Sequence, residues 1–265
     1  MKFELIGIKT KFIKVKENIF DVFCECLEEK GLKLEHNDVI AISSKIIALE
    51  QNLVIDLSSI PIHSNSKDFA KLTNLDPRFI SLVIRESDII YGGVNGALLT
   101  LRDGLLQANA GIDQSNTSKG TAILLPTNPN EYADFFKQKI QNKYSVDVSI
   151  IIVDSATRPL RRGTTGLCLG YSKDFPAVLD DRGSIDLLGN KMTITTRAIA
   201  DNLATTANLV MGESNQRTPF AIIRGLPLNE WQNDFKTDIN MKIAFTECLY
   251  FKNFTSTPLY SKSDE

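Results

Sequence analysis

The chain has 265 residues, 43% of them hydrophobic and 23% charged, which is ample for a folded core and excludes the disordered and fibrous classes. With 30 Lys and Arg against 32 Asp and Glu the net charge is −2, so no global field draws the molecule to nucleic acid or anionic lipid, and any anion must be captured locally. No apolar run approaches the roughly 18 residues of a membrane helix, and residues 1–12 lack a signal-peptide pattern, so a cytoplasmic protein binding neither membrane nor nucleic acid is expected.

Over residues 17–30 the apolar positions Ile19, Phe20, Val22, Phe23, Cys26 and Leu27 recur at helical spacing, and Gly31 marks the stop. Residues 39–42 form a short buried-strand candidate, followed by Ser43, Ser44 and Lys45 as a surface turn. Asp76 and Pro77 predict the cap and first turn of a helix reaching about Asp88. A glycine-rich turn over 92–96 precedes strands at 97–101 and 105–107. Residues 109–120 are small and polar, and 121–125 predict another buried strand. Asn128, Pro129 and Glu131 predict a capping box that opens a helix to about Asn142. The alternation from Val146 into the apolar run through Val153 predicts a central strand ending at Asp154. Residues 157–190 show little periodicity and read as a long functional loop. Residues 192–196 are strand-like, 197–211 predict a helix closed by Gly212, and 220–223 predict a last strand. The fold class is α+β, mixed sheets with packed helices, as one unit over 1–254 or two intimate lobes, with a loosely held tail at 255–265.

The two histidines, His36 and His63, lie in polar stretches with neither a nucleophile elbow nor a second imidazole beside them. This disfavours a Ser–His or Cys–His nucleophile and a histidine-rich zinc site. Four cysteines form no dense disulfide framework, and Cys168 and Cys248 sit in apolar company as core residues. The chemistry therefore falls to carboxylates, lysines and arginines. Asp113, Asp154 and Glu213 each follow a predicted element among small or hydroxylated residues, the kind of oxygen donor that hard divalent cations take. Read singly, each is better explained as a turn cap, and the three together weaken that reading. Arg158, Arg161 and Arg162 suit a phosphate or carboxylate, with a solvated face paired to Asp180 and Asp181 as the bland alternative. There is neither a Walker loop nor a Gly-x-Gly-x-x-Gly fingerprint.

Taken together, the ordered blocks resemble the γ-glutamyl ligases of deazaflavin coenzyme F420 biosynthesis. The likeness is carried by Asn109-Ala110-Gly111-Ile112-Asp113-Gln114-Ser115-Asn116, by Leu125-Pro126, and by Asp154 with Arg158-Pro159 and Arg161-x-Gly163. It continues through Asp181-Arg182-Gly183, Asp186 with Gly189, Ala200-Asp201, Leu209-Val210-Met211-Gly212 and Arg224-Gly225-Leu226. The resemblance implies an intertwined homodimeric ligase that uses GTP and two Mg²⁺ or Mn²⁺ ions to join L-glutamate to a carboxylate acceptor through an acyl phosphate. It implies Asp113, Asp154, Ser155 and Glu213 as metal ligands. Lys11, Phe12, Ile13, Lys14, Ser44, Lys45, Asn116, Gly212, Ser214 and Asn215 match nucleotide-contacting stretches. Arg158, Arg161 and Arg182 are assigned to phosphate or acceptor carboxylate. Thr157 and Leu160 depart from the glycine and tryptophan usual in the family, and a folate is weighed beside the deazaflavin as acceptor. A nucleotide-binding scaffold and a metal-dependent phosphohydrolase are the readings from other classes.

Overall fold

A computed structural model describes residues 2–235, 239–252 and 260–261. In chain order the elements begin with β1 (Glu4–Ile8), α1 (Ile19–Lys30), β2 (Val39–Ser43), α2 (Ser44–Glu50), β3 (Val54–Asp56), α3 (Ser66–Thr73) and α4 (Pro77–Glu86). They continue with β4 (Ile89–Val94), β5 (Ala97–Arg102), β6 (Leu105–Ala108), β7 (Thr121–Ile123), α5 (Pro129–Tyr144), β8 (Ser149–Thr157) and β9 (Thr164–Tyr171). The last are β10 (Val178–Asp180), β11 (Thr196–Ala198), α6 (Ile199–Met211), β12 (Phe220–Arg224), α7 (Leu228–Asp234) and β13 (Tyr260–Ser261). The class is α+β, and the chain divides into two compact units, Met1–Asn52 with Pro126–Met241 and Leu53–Leu125 with Lys242–Glu265.

The first unit is built on a five-stranded sheet in the order β1-β12-β2-β8-β9, in which β2 and β8 run parallel and the other neighbours antiparallel. Both faces are covered, which is why its inner strands read as unbroken apolar runs. Ile40, Ile42, Ile150, Ile152, Phe220 and Ile222 face α1 and α5. Their alternating neighbours Val39, Ala41, Ile151, Val153, Ala221 and Ile223 face α6. Phe23 sits between Phe136 and Phe220 with ring centroids at 5.6 and 5.0 Å. Below the opposite end of the sheet, fully buried Asp38 accepts two bonds of 2.8 Å from Arg224, an ion pair whose loss on one side costs about 3–5 kcal/mol.

Helix α1 starts at Ile19, two residues inside the periodic stretch, with Asn18 capping the amides of Phe20 and Asp21, and Gly31 closes it at φ 63° as predicted. Other expectations change. Ser44 opens α2 and is buried, so Ser43, Ser44 and Lys45 are not a surface turn. The capping box at Asn128 does not form: Asn128 is left-handed at φ 48°, and its amide donates to Glu131 instead of the reverse backbone bond. Strand β8 does not stop at Asp154 but runs on to Thr157. The predicted loop over 157–190 contains β9 and β10, and the strand expected at 192–196 is displaced to β11.

The glycines of β9 concealed it. A Cβ on Gly166 would lie 2.2 Å from the carbonyl carbon of Ala204, and one on Gly170 would lie 2.7 Å from the backbone of Pro129. Helices α6 and α5 thus press on opposite faces of one strand. The register shift between Ile152 and Val153 turns the two glycines to different sides.

The second unit pairs β13-β4-β5-β6 antiparallel and carries the separate β3-β7 pair, over a core in which Phe79, Ile80 and Val83 of α4 meet Ile90, Leu98 and Ala110. Asp76 caps α4 through the amides of Arg78 and Phe79, as predicted. Gly92 and Gly93 lie in β4, leaving only Asn95 and Gly96 for the turn. The tail expected over 255–265 lies outside the described residues except for the short strand β13. Among the described residues no helix is long and apolar enough to cross a membrane.

Candidate functional site

Strands β1, β2 and β8 share one direction, so their carboxyl ends fall on one edge of the sheet of the first unit, and β12 starts there. Ligands of open sheets with parallel strands gather at such an edge. The segments that emerge from it are 9–14 after β1, Ser44 and Lys45 after β2, the last turns of β8, and residues 212–219 ahead of β12. Backbone bonds tie them together: Thr10 N donates to Arg217 O at 2.8 Å, and Ser43 N to Pro219 O at 2.9 Å. Four stretches remote in sequence therefore become neighbours.

At the end of β8, Glu213 collects three donors on one carboxylate oxygen. Ser155 Oγ donates at 2.6 Å, Asn208 Nδ2 at 2.7 Å and Thr164 Oγ1 at 3.2 Å. One residue back, half-buried Asp154 accepts from the buried Ser44 hydroxyl at 3.0 Å. Gly212 makes the approach of Glu213 feasible: at φ 70° and ψ 176° it occupies backbone space open only to glycine. A Cβ there would also lie 2.5 Å from the Gln216 side chain. Ser214 N is bound to the same Gln216 amide at 2.8 Å, while Asn215 is exposed beside it.

The donor set here is wholly oxygen and amide, the kind that hard cations accept. A serine hydroxyl that gives its hydrogen to Glu213 keeps its lone pairs for a cation, so Asp154, Ser155 and Glu213 each offer oxygen of the kind a divalent ion takes. Among the described residues no three His, Cys, Asp or Glu side chains gather as a metal cluster.

The remaining expected residues divide. Ile13 is buried in the core, so its side chain packs while its backbone alone faces the edge. Lys11 is exposed and bound to Glu25 at 2.8 Å, and that carboxylate raises its pKa. Phe12 is exposed, and Lys14 N is fixed by Glu17 at 2.7 Å. Arg158 turns back along β9, with Nε on Thr165 Oγ1 at 3.0 Å, while Arg161 and Arg162 stand exposed. Arg182 forks onto Asp180 with two bonds of 2.7 Å, and Arg197 onto Asp181 at 2.7 and 3.0 Å. The bland pairing expected for Arg158, Arg161 and Arg162 with those aspartates is thus made by other arginines.

Asp113 and Asn116 belong to the second unit, on a loop whose base is tightly specified. Asn109, Ala110 and Gly111 are successively left-handed at φ 52°, 55° and 71°. Leu98 N donates to Asn109 Oδ1 at 2.8 Å and Ala110 N to Thr100 Oγ1 at 2.7 Å. Asp113 accepts from Ser115 N at 2.6 Å and from Ser115 Oγ at 2.8 Å, the turn-capping behaviour open to any aspartate in a loop. Sequence reasoning missed Thr164 and Asn208 as partners of Glu213. The signal for Thr164 was the hydroxyl pair Thr164-Thr165, lost when β9 read as loop.

A family model described as F420-0:Gamma-glutamyl ligase matches residues 7–225. A coenzyme F420:L-glutamate ligase of Methanopyrus kandleri is 36% identical over 78% of this chain and 81% of its own length. The protein of the same description from Methanocaldococcus jannaschii is 35% identical, covering 84% and 88%, and that from Methanothermobacter thermautotrophicus is 32% identical, covering 88% and 93%.

Proposed function

The chain belongs to the F420-0:Gamma-glutamyl ligase family, and from that membership we propose that it is a GTP-dependent ligase that joins L-glutamate to the carboxylate of a deazaflavin acceptor. That it is a ligase follows from the family. What supports the finer reading is that residues 9–14, Ser44 and Lys45, the end of β8 with Asp154 and Ser155, and Glu213 all emerge at one sheet edge.

In this chemistry an acceptor carboxylate oxygen forms a bond to the γ-phosphorus of GTP as GDP departs. The glutamate amine then attacks the acyl carbon, loses a proton, and expels phosphate. Divalent cations, when bound, offset the repulsion between carboxylate and polyanion. The chain's own part is orientation. Glu213 accepts the Ser155 hydroxyl hydrogen, Ser44 orients Asp154, and Arg161 presents a guanidinium fork to phosphate or acceptor carboxylate, whereas Arg158 braces the β8–β9 connection through Thr165. For Asp113 and Asn116 the support is the family likeness alone, and Arg182 would act only by sharing its Asp180 partner.

The reading includes a homodimer. Residues 181–197 form an ordered arm, with Gly183 N on Met192 O at 2.8 Å and Asp186 N on Asn190 O at 2.8 Å. Yet Leu187, Leu188 and Ile194 are 104%, 87% and 86% exposed. Hydrogen-bonded backbone that presents aliphatic side chains to water supports a protein interface.

The test supplies GTP, Mg²⁺ or Mn²⁺ and L-glutamate with either F420-0 or a folate, and follows acceptor mass and GTP consumption. Glutamyl addition to F420-0, with GTP consumed only when both co-substrates are present, is the expected result. Addition only to the folate would reassign the acceptor. GTP turnover without glutamate would indicate a hydrolase, and binding without turnover a scaffold.

A further inference from the structure

Strands β8 and β9 stay paired as far as Thr157 and Thr164, leaving 158–163 as the connecting tip. At that tip Leu160 is 103% exposed and left-handed at φ 57°. Both are unfavourable for leucine: the branched side chain crowds its backbone there, and it gains nothing from burial. Glycine would occupy the position without strain, as Gly163 does at φ 94° in the same loop. The tip is nonetheless anchored, because Arg158 bonds back to Thr165. Its base is Thr164, which donates to Glu213 beside Ser155. Arg161 and Arg162 follow the leucine directly. One exposed apolar side chain followed by two guanidinium forks, on the connection whose base bonds Glu213, matches a flat heterocycle that carries a pendant anion.

We propose that Leu160 is a specificity-determining residue that covers the ring of the carboxylate acceptor while the adjacent arginines hold its anionic arm. This rests on the ligase reading above and adds to it the residue that recognises the ring. Deazaflavin and folate acceptors share that chemistry, so the test has an arm for each. Binding of F420-0 and of a folate is titrated by fluorescence without GTP, for wild type, Leu160→Gly and Leu160→Met, alongside the KM values for acceptor and GTP. Leu160→Gly removes the side chain from a glycine-compatible site, so the fold is retained and the melting temperature holds or rises. The expected result is an acceptor affinity reduced about tenfold or more by Leu160→Gly, in line with the loss of one buried aliphatic side chain, and restored by Leu160→Met. The KM for GTP stays in place. If wild type adds glutamate but Leu160→Gly binds either acceptor as wild type does, this proposal is overturned and the ligase reading stands. If wild type neither binds nor modifies either acceptor, both fall.

Discussion

Asp154 shows how a single side chain takes its meaning from neighbours far away in sequence. Its carboxylate is oriented by Ser44, and the residue after it makes the Ser155–Glu213 bond. Asp154→Asn keeps the shape and loses the charge, so turnover should vanish while the melting temperature stays within a few degrees of wild type; full turnover at saturating Mg²⁺ would remove Asp154 from the site. Thr164→Val leaves Glu213 one donor short and should reduce activity by about 10- to 100-fold, the usual effect of losing a supporting hydrogen bond. Cys168 is a residue of the opposite kind: burial against α6 pushes its thiol up to about 12. A thiol whose folded pKa is raised adds stability that is complete below its unfolded value and fades as pH climbs toward the folded one. Native Cys168 should therefore resist alkylation at about pH 8, with the half-buried Cys248 reacting first. Mass mapping of the modified peptides decides it.

Among the elements, α1 was legible from its helical spacing and its Gly31 stop, and α4 because its cap is local: Asp76 satisfies the amides two and three residues onward. Strand β9 was hidden because its glycines answer to helices that the local sequence does not mention. Gly166→Ala places a methyl group against the backbone of Ala204, and backbone cannot rotate aside. That substitution should cost about 1–3 kcal/mol or more and be measurable by urea denaturation; a neutral result would mean that α6 slides freely on β9. The overrun of β8 past Asp154 has a similar cause. Asp154, Ser155 and Thr157 are polar, yet they pair residue for residue with Leu167, Gly166 and Thr164, so the ladder continues where the apolar pattern stops.

For the whole molecule, the exposed aliphatic arm bears on the proposed homodimer. Leu187→Asp combined with Leu188→Asp should shift the protein to monomer in sedimentation or light scattering without loss of secondary structure; an unaltered mass would place the interface elsewhere. Composition already excluded a field that attracts polyanions, apolar runs marked the inner strands, and the ordered blocks around Asp113, Asp154 and Gly212 carried the family. Those properties are local, since each is written in consecutive residues and their period. The partnership of Glu213 with Ser155, Thr164 and Asn208, and the meeting of Thr10 with Arg217 and of Ser43 with Pro219, were decided only by tertiary structure. The physical reason is strand direction: a sheet edge is a set of chain ends brought side by side by pairing partners, and no single stretch of sequence specifies which ends will be adjacent.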